Sequence, residues 1–248
     1  HREVAASAPN TTGRAPAPAP TPTAAVAAAR RALPIHAHRA EILQTVAASH
    51  VTVVSGETGS GKSTQVVQYL LEENPHAVVV CTQPRRLSAI ALAERVAEER
   101  GEPEPGRTVG YAVRLENKTS AATRITFCTT GVVLATLRAG FFRSSMLGRA
   151  THLVLDEVHE RDRDTDFLLI FMRQLLVAQC QPNWPHARVK LVVMSATMNV
   201  DAFVSYFAVP GLPLRVSRVD VAGSLFPVRQ LFLEDVLHET DYVAAASR

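Results

Sequence analysis

The sequence holds only three cysteines and one tryptophan. Cys81, Cys128 and Cys180 are far apart, odd in number and without metal-ligand spacing. They argue against a disulfide framework and a zinc site, and read as free thiols in a reducing, intracellular compartment. No apolar run approaches the roughly 20 residues that a membrane-spanning helix needs, and the N-terminus lacks the charged, apolar and cleavage-site order of a secretory leader. The expectation is therefore a protein with no membrane partner. A surplus of charge is also missing: 26 Lys and Arg stand against 23 Asp and Glu, a net charge of +3. Any site for a polyanion must come from local clustering. The chain opens on His1 rather than Met, as an excised piece of a longer protein would.

What is present is a texture. At 248 residues and 47% hydrophobic, the chain is long enough to bury a core. Residues 1 to about 32 are dominated by Ala, Pro, Thr and Ser, with Pro16, Pro18, Pro20 and Pro22 alternating. That composition buries too little apolar area to offset ordering entropy, and reads as a tail or linker. From Leu33 short β-branched runs alternate with longer helical patterns. Residues 51–55, 77–82, 124–129, 153–156 and 190–195 are the strand candidates, each continuously apolar as doubly covered strands should be. Ala89, Leu92, Ala93 and Val96, and likewise Leu168, Phe171, Met172 and Leu175, fall at i, i+3, i+4 and i+7 and mark buried helical stripes. The fold class expected is α/β, a parallel sheet with helices on both faces. Pro210, Gly211 and Pro213 mark a break, and the domain is expected to span 33–220.

Gly56, Glu57, Thr58, Gly59, Ser60, Gly61, Lys62 and Ser63 complete the pattern G-x-x-x-x-G-K-[ST], with Thr64 next, between a strand candidate and a helix candidate. Glycines allow backbone N–H groups to close around phosphates, and the helix adds its positive end. Lys62 would reach the outer phosphates of ATP, and the Ser63 hydroxyl would join a Mg²⁺ shell. The bland alternative is a glycine-rich turn with a surface lysine. A second carboxylate strand must hold the metal and orient water, and the run 153–155 ends in Asp156 and Glu157. Asp156 is the metal-side carboxylate and Glu157 the group that polarises water. An acidic pair at a strand end also serves as an ordinary helix cap.

The stretch Asp156-Glu157-Val158-His159-Glu160-Arg161, with the phosphate loop upstream, resembles the D-E-x-H box of the DEAH-box RNA helicases, with Val in place of the usual Ala. Ser195-Ala196-Thr197 resembles their S-A-T motif, and the likeness extends through Thr82-Gln83-Pro84-Arg85-Arg86, Gly110-Tyr111-Ala112-Val113-Arg114, Phe127-Cys128-Thr129-Thr130-Gly131 and Phe226-Pro227-Val228. The resemblance implies a RecA-like P-loop NTPase lobe using ATP and Mg²⁺. It gives His159 a part in catalysis, linking the carboxylates to the next motif, and gives Ser195 and Thr197 a part in coupling to movement. It places Arg85, Arg86 and the loop Thr129, Thr130 and Gly131 on the RNA backbone, where Arg forks and hydroxyl donors suit phosphate oxygens. Arg95 would stack on the adenine, while its plainer role is an i, i+4 partner of Glu99.

Thr165-Asp166-Phe167-Leu168-Leu169 is similar to the cytoplasmic members of the class rather than the splicing ones. Such helicases have two RecA-like lobes, the second carrying an arginine pair that reaches the γ-phosphate. No such motif occurs here, and residues 221–248 are expected to cross into that partner lobe of the same chain. No protein activator is named by the sequence. Two other readings share these residues: a P-loop ATPase that remodels DNA or protein, and a nucleotide-gated RNA-binding module without turnover.

Overall fold

A computed structural model describes residues 23–138, 140–144, 146–196, 200–223 and 232. The strands are β1 (Val51–Gly56), β2 (Val79–Gln83), β3 (Val109–Val113), β4 (Glu116–Lys118), β5 (Ile125–Thr129), β6 (His152–Leu155), β7 (Lys190–Ser195) and β8 (Val216–Val221). They form one sheet in the order β4-β3-β5-β2-β6-β7-β1-β8. Every pairing is parallel except β3 with β4.

The continuous apolar runs have the structural cause expected of them. Successive residues of a strand point to opposite faces, and here both faces are covered. Val54, Val79, Phe127, Val154 and Val192 enter one buried cluster. Their neighbours Val53, Val80, Cys128, Leu153 and Val193 enter the other. The first layer is closed by α2 (Arg39–Ala48), α3 (Lys62–Glu73) and α4 (Arg86–Glu99), through Ile42, Val66, Ala89, Ala93 and Val96. The second is closed by α5 (Thr130–Arg138), α6 (Arg163–Gln179) and α7 (Val200–Phe207), through Val133, Leu168, Met172, Phe203 and Phe207. Cys81 and Cys128 lie on adjacent strands but in opposite layers. Burial raises both thiols, Cys128 to about 12, so both stay protonated.

One segment departs from the sequence reading. Ala24–Ala32, placed with the proline-rich tail, is a helix, α1. The alternating prolines of the tail end at Pro22, and alanine is the strongest helix former. Thr23 Oγ1 accepts the Val26 N–H, and Arg30 and Arg31 sit at the C-terminal end where the helix dipole favours cations. Nine residues do not make a stable helix in water, so α1 depends on what it packs against. No helix among the described residues is long and apolar enough to cross a membrane.

Candidate nucleotide and nucleic-acid site

In an open parallel sheet, ligands sit outside the carboxyl ends of the strands where the order reverses. The order β6-β7-β1 brings the ends of β1 and β6 to either side of β7. The loop Gly56–Gly61 leaves β1, the pair Asp156 and Glu157 leaves β6, and Ser195 ends β7 in register with Ser55. Gly59 and Gly61 have φ of 83° and 94°, a region that L side chains rarely adopt. An added Cβ at Gly61 would also stand 2.9 Å from Leu33 Cδ1. The turn thus needs glycine for conformation and for space.

Lys62 opens α3 and is only 5% exposed. Its Nζ donates to the carbonyls of Gly56 and Glu57, the latter at 2.8 Å, and to Ser60 Oγ at 3.3 Å. Burial lowers its pKa, and the nearby charges of Asp156, Glu157 and Glu57 oppose that fall. Asp156 is 3% exposed. Its Oδ2 accepts from Gln83 Nε2 at 2.6 Å and its Oδ1 from the Glu157 N–H at 2.9 Å. Burial raises the Asp156 carboxyl, and the nearby Ser63 hydroxyl, these two hydrogen bonds and the Lys62 charge restrain the rise. The two residues read as metal ligands therefore stand side by side. Among the described residues no group of three or more His, Cys, Asp or Glu could hold a metal. A hydroxyl and one carboxylate suit Mg²⁺ that completes its shell with phosphate oxygens and water.

Glu157 has φ 55° and ψ 33°, a left-handed backbone in a non-glycine residue. Its pKa is raised by burial first and by Asp156 second, against His159 and Lys62. His159 follows in the 3₁₀ turn Val158–Glu160. Its Nδ1 lies 3.2 Å from the Ala196 N–H and 3.3 Å from Glu157 Oε2. One ring atom thus faces both the acidic box and the end of β7. Thr197 lies outside the described residues.

A cavity of about 290 Å³ over the loop is lined by Leu33, Thr58, Gly59, Gly61, Lys62, Ser63, Thr64, Arg95, Glu99 and Glu157. A second, of about 450 Å³, adjoins it along α4 and is lined by Ser63, Gln83, Arg85, Arg95, Glu157 and Glu160 among others. Arg95 lines both, with its Nε 2.9 Å from Glu99 Oε1. Arg85, the residue before α4, is 72% exposed in its side chain and stands 3.3 Å from Glu160. Arg86 is 4.0 Å from Glu116. Thr129, Thr130 and Gly131 are not a loop. The strand runs to Thr129 and α5 begins at Thr130. Thr129 and Thr130 are buried, with the Thr130 hydroxyl 3.5 Å from that of Thr165. Gly131 is exposed.

Sequence reasoning misses Gln83, Leu33 and Ile35, and has Glu99 only as the i, i+4 partner of Arg95. For Gln83 the usable signal is a polar residue ending an apolar strand. Leu33 and Ile35 wall the loop, and the Ile35 N–H donates to the Ser60 carbonyl at 3.1 Å. Glu99, 3% exposed, gathers donors from Gln65, Gln68 and Arg95.

The family model described as DEAD/DEAH box helicase matches residues 36–203. The chain is 44% identical over 221 residues to the DExH-box ATP-dependent RNA helicase DExH1 of Arabidopsis thaliana, covering 87% of this chain and 20% of that protein. It is 45% identical over 219 residues to DExH3 of the same plant, covering 86% and 17%. It is 43% identical over 227 residues to the ATP-dependent RNA helicase dhx29 of Xenopus laevis, covering 86% and 15%. The chain thus spans a fifth or less of the length of these relatives.

Proposed function

Because the chain belongs to the DEAD/DEAH box helicase family, we propose that it is the ATP-binding motor lobe of an ATP-dependent RNA helicase, coupling ATP hydrolysis to movement on RNA. The observation that carries the reading is the buried Asp156 at the end of the acidic strand, held by Gln83 beside Ser63 of the phosphate loop. It sits at the floor of a cradle of the right chemistry for Mg²⁺ and a triphosphate. In this assignment the N–H groups of residues 58–63 and the α3 N-terminus hold the phosphates. Lys62 exchanges loop carbonyls for phosphate oxygens, and Ser63 and Asp156 hold the metal. Magnesium, when bound, supplies charge for the phosphate oxygens. Glu157 orients and polarises the attacking water, and His159 ties that carboxylate to the end of β7, where Ser195 and Thr197 pass the change on.

RNA meets the same rim. Arg85 and Arg86 at the start of α4 and the exposed Gly131 at the start of α5 face phosphate oxygens. Thr129 and Thr130 contribute there through their backbone, since their side chains are buried. The crossing into a second lobe is assigned to residues 221–248, of which Val221 still ends β8 and most lie outside the described residues. The deciding experiment is calorimetric titration of the chain with Mg·ADP and Mg·ATP. Binding is expected for the parent and lost in Lys62→Ala. Unchanged affinity in that variant would remove the site.

A further inference from the structure

Glu99 is a buried carboxylate shared between two guanidinium groups on opposite sides. On the cleft side Arg95, 53% exposed in its side chain, donates to Oε1 at 2.9 Å. On the far side Arg30 of α1, 15% exposed, holds its Nε 3.8 Å from Oε2. Gln65 and Gln68 of α3 each donate to that Oε2 at 2.8 Å. Arg30 is itself fixed, donating to Gln65 Oε1 at 2.8 Å and to Glu72 at 2.7 Å. Gln65 also donates to Thr64 at 2.9 Å, so the network reaches the residue after the phosphate loop.

A charge taken out of water must keep a countercharge or be neutralised. Two cations stand at Glu99 among the described residues, and one of them, Arg95, also lines the cavity over the loop. A planar guanidinium can stack on a base, but it must leave Glu99 to do so. With Arg30 in place that departure leaves the carboxylate paired. Without Arg30 it would strand a buried charge, and Arg95 would stay where it is.

We propose that α1 belongs to the nucleotide site, with Arg30 as a positioning residue that holds Glu99 so that Arg95 is released to the nucleotide base. This rests on the nucleotide reading of the cleft. The packing of the α1 exit against the loop, through Leu33 on Gly61 and Ile35 on Ser60, keeps Arg30 at that distance.

The test compares ADP with inorganic triphosphate, a probe without a base, by calorimetry on the 248-residue chain with Mg²⁺. Arg30→Ala should weaken ADP by roughly fivefold to tenfold, the size of a typical coupling between contacting residues, and leave triphosphate affinity unchanged. Arg30→Lys should restore most of the ADP affinity. In the Glu99→Gln background, where Arg95 has no carboxylate to leave, Arg30→Ala should have no further effect on ADP. Equal losses for ADP and triphosphate would mean that Arg30 serves only the fold, and no loss for either would mean that Arg95 does not depend on it. Both overturn the inference while leaving the cleft assignment standing. A parent chain that bound neither probe would overturn the cleft assignment itself.

Discussion

At the scale of single residues, the acidic box is held in a form that is costly alone. Glu157 adopts φ 55°, a conformation that costs a non-glycine residue about 1–2 kcal/mol. Its carboxyl is raised by burial and by Asp156 beside it. Both penalties persist where the surroundings over-determine the geometry, here the Glu157 N–H bond to Asp156 Oδ1 and the Glu160 N–H donated to the Glu157 carbonyl. Glu157→Gln keeps the shape and removes the carboxylate proposed to polarise the water. In a chain continued through the second lobe, nucleotide affinity should stay and single-turnover hydrolysis should fall about 10²–10⁴-fold. Turnover near the parent rate would assign water activation to another group. Gln83 carries a different expectation. It supplies one of two hydrogen bonds to a carboxylate that is 3% exposed. Gln83→Leu should lower the unfolding free energy by about 1–3 kcal/mol, the penalty for an unsatisfied buried polar group, read by urea titration.

At the scale of elements, β6 places a histidine where charge is disfavoured. His152 begins the strand opposite Lys190 of β7. Burial first, then that ammonium, push its pKa from 6.5 down to about 4. Across that window the unfolded chain takes up a proton that the folded chain refuses. The stability tied to His152 is therefore complete above pH 6.5 and is lost as pH falls toward 4. His50 shifts in the same direction, through burial, Lys190, Arg188 and Arg215, and adds to the loss. His152→Asn should shrink the acid-side decline in urea unfolding between pH 6.5 and 4, and a decline of parent steepness would contradict the assignment. The same strands show what the sequence made legible. β1, β2, β5, β6 and β7 announce themselves because both faces are covered and each holds a mostly apolar, β-branched run, with polar residues chiefly at the strand ends. β4 has three exposed residues, and β8 alternates exposed Arg218 and Asp220 with buried Val219 and Val221, so neither has a continuous run. β3 contains Gly110, where a Cβ would stand 2.3 Å from the Lys118 carbonyl; close approach to β4 dictated that residue, not strand propensity. The loop and the acidic box were legible because phosphate and metal chemistry constrain residue type at each position. Of the network around Glu99 only the i, i+4 pair with Arg95 was legible, since Arg30, Gln65 and Gln68 lie on α1 and α3 and only folding brings them to it.

At the scale of the whole molecule, the proposed phosphoryl-transfer centre has, among the described residues, its phosphate loop and two carboxylates but no spare arginine. Developing charge on the γ-phosphoryl group must be neutralised, and an arginine supplied across an interface is worth roughly 10³ to 10⁵ in rate. The arginines near the cleft are each already engaged by a carboxylate. Arg85 faces Glu160, Arg86 faces Glu116, Arg95 faces Glu99, and Arg161 donates to Asp166 at 2.9 Å. The proposed function therefore calls for a group supplied by a second lobe, onto the mouth of the cleft lined by Lys62 and Glu157. The chain alone should then bind Mg·ATP yet hydrolyse it slowly, with little response to single-stranded RNA. Joined to the downstream lobe, turnover should rise by about 10³-fold or more and become RNA-dependent. RNA affinity should fall with added salt as counterions are released, and Arg85→Ala with Arg86→Ala should lower that affinity alike for strands of different sequence and equal length. A steady-state ATPase assay on both lengths of chain, with and without RNA, decides the matter. Full RNA-stimulated turnover by the 248-residue chain would show that no arginine is borrowed, and that one of the four carboxylate-bound guanidinium groups turns to the phosphate instead.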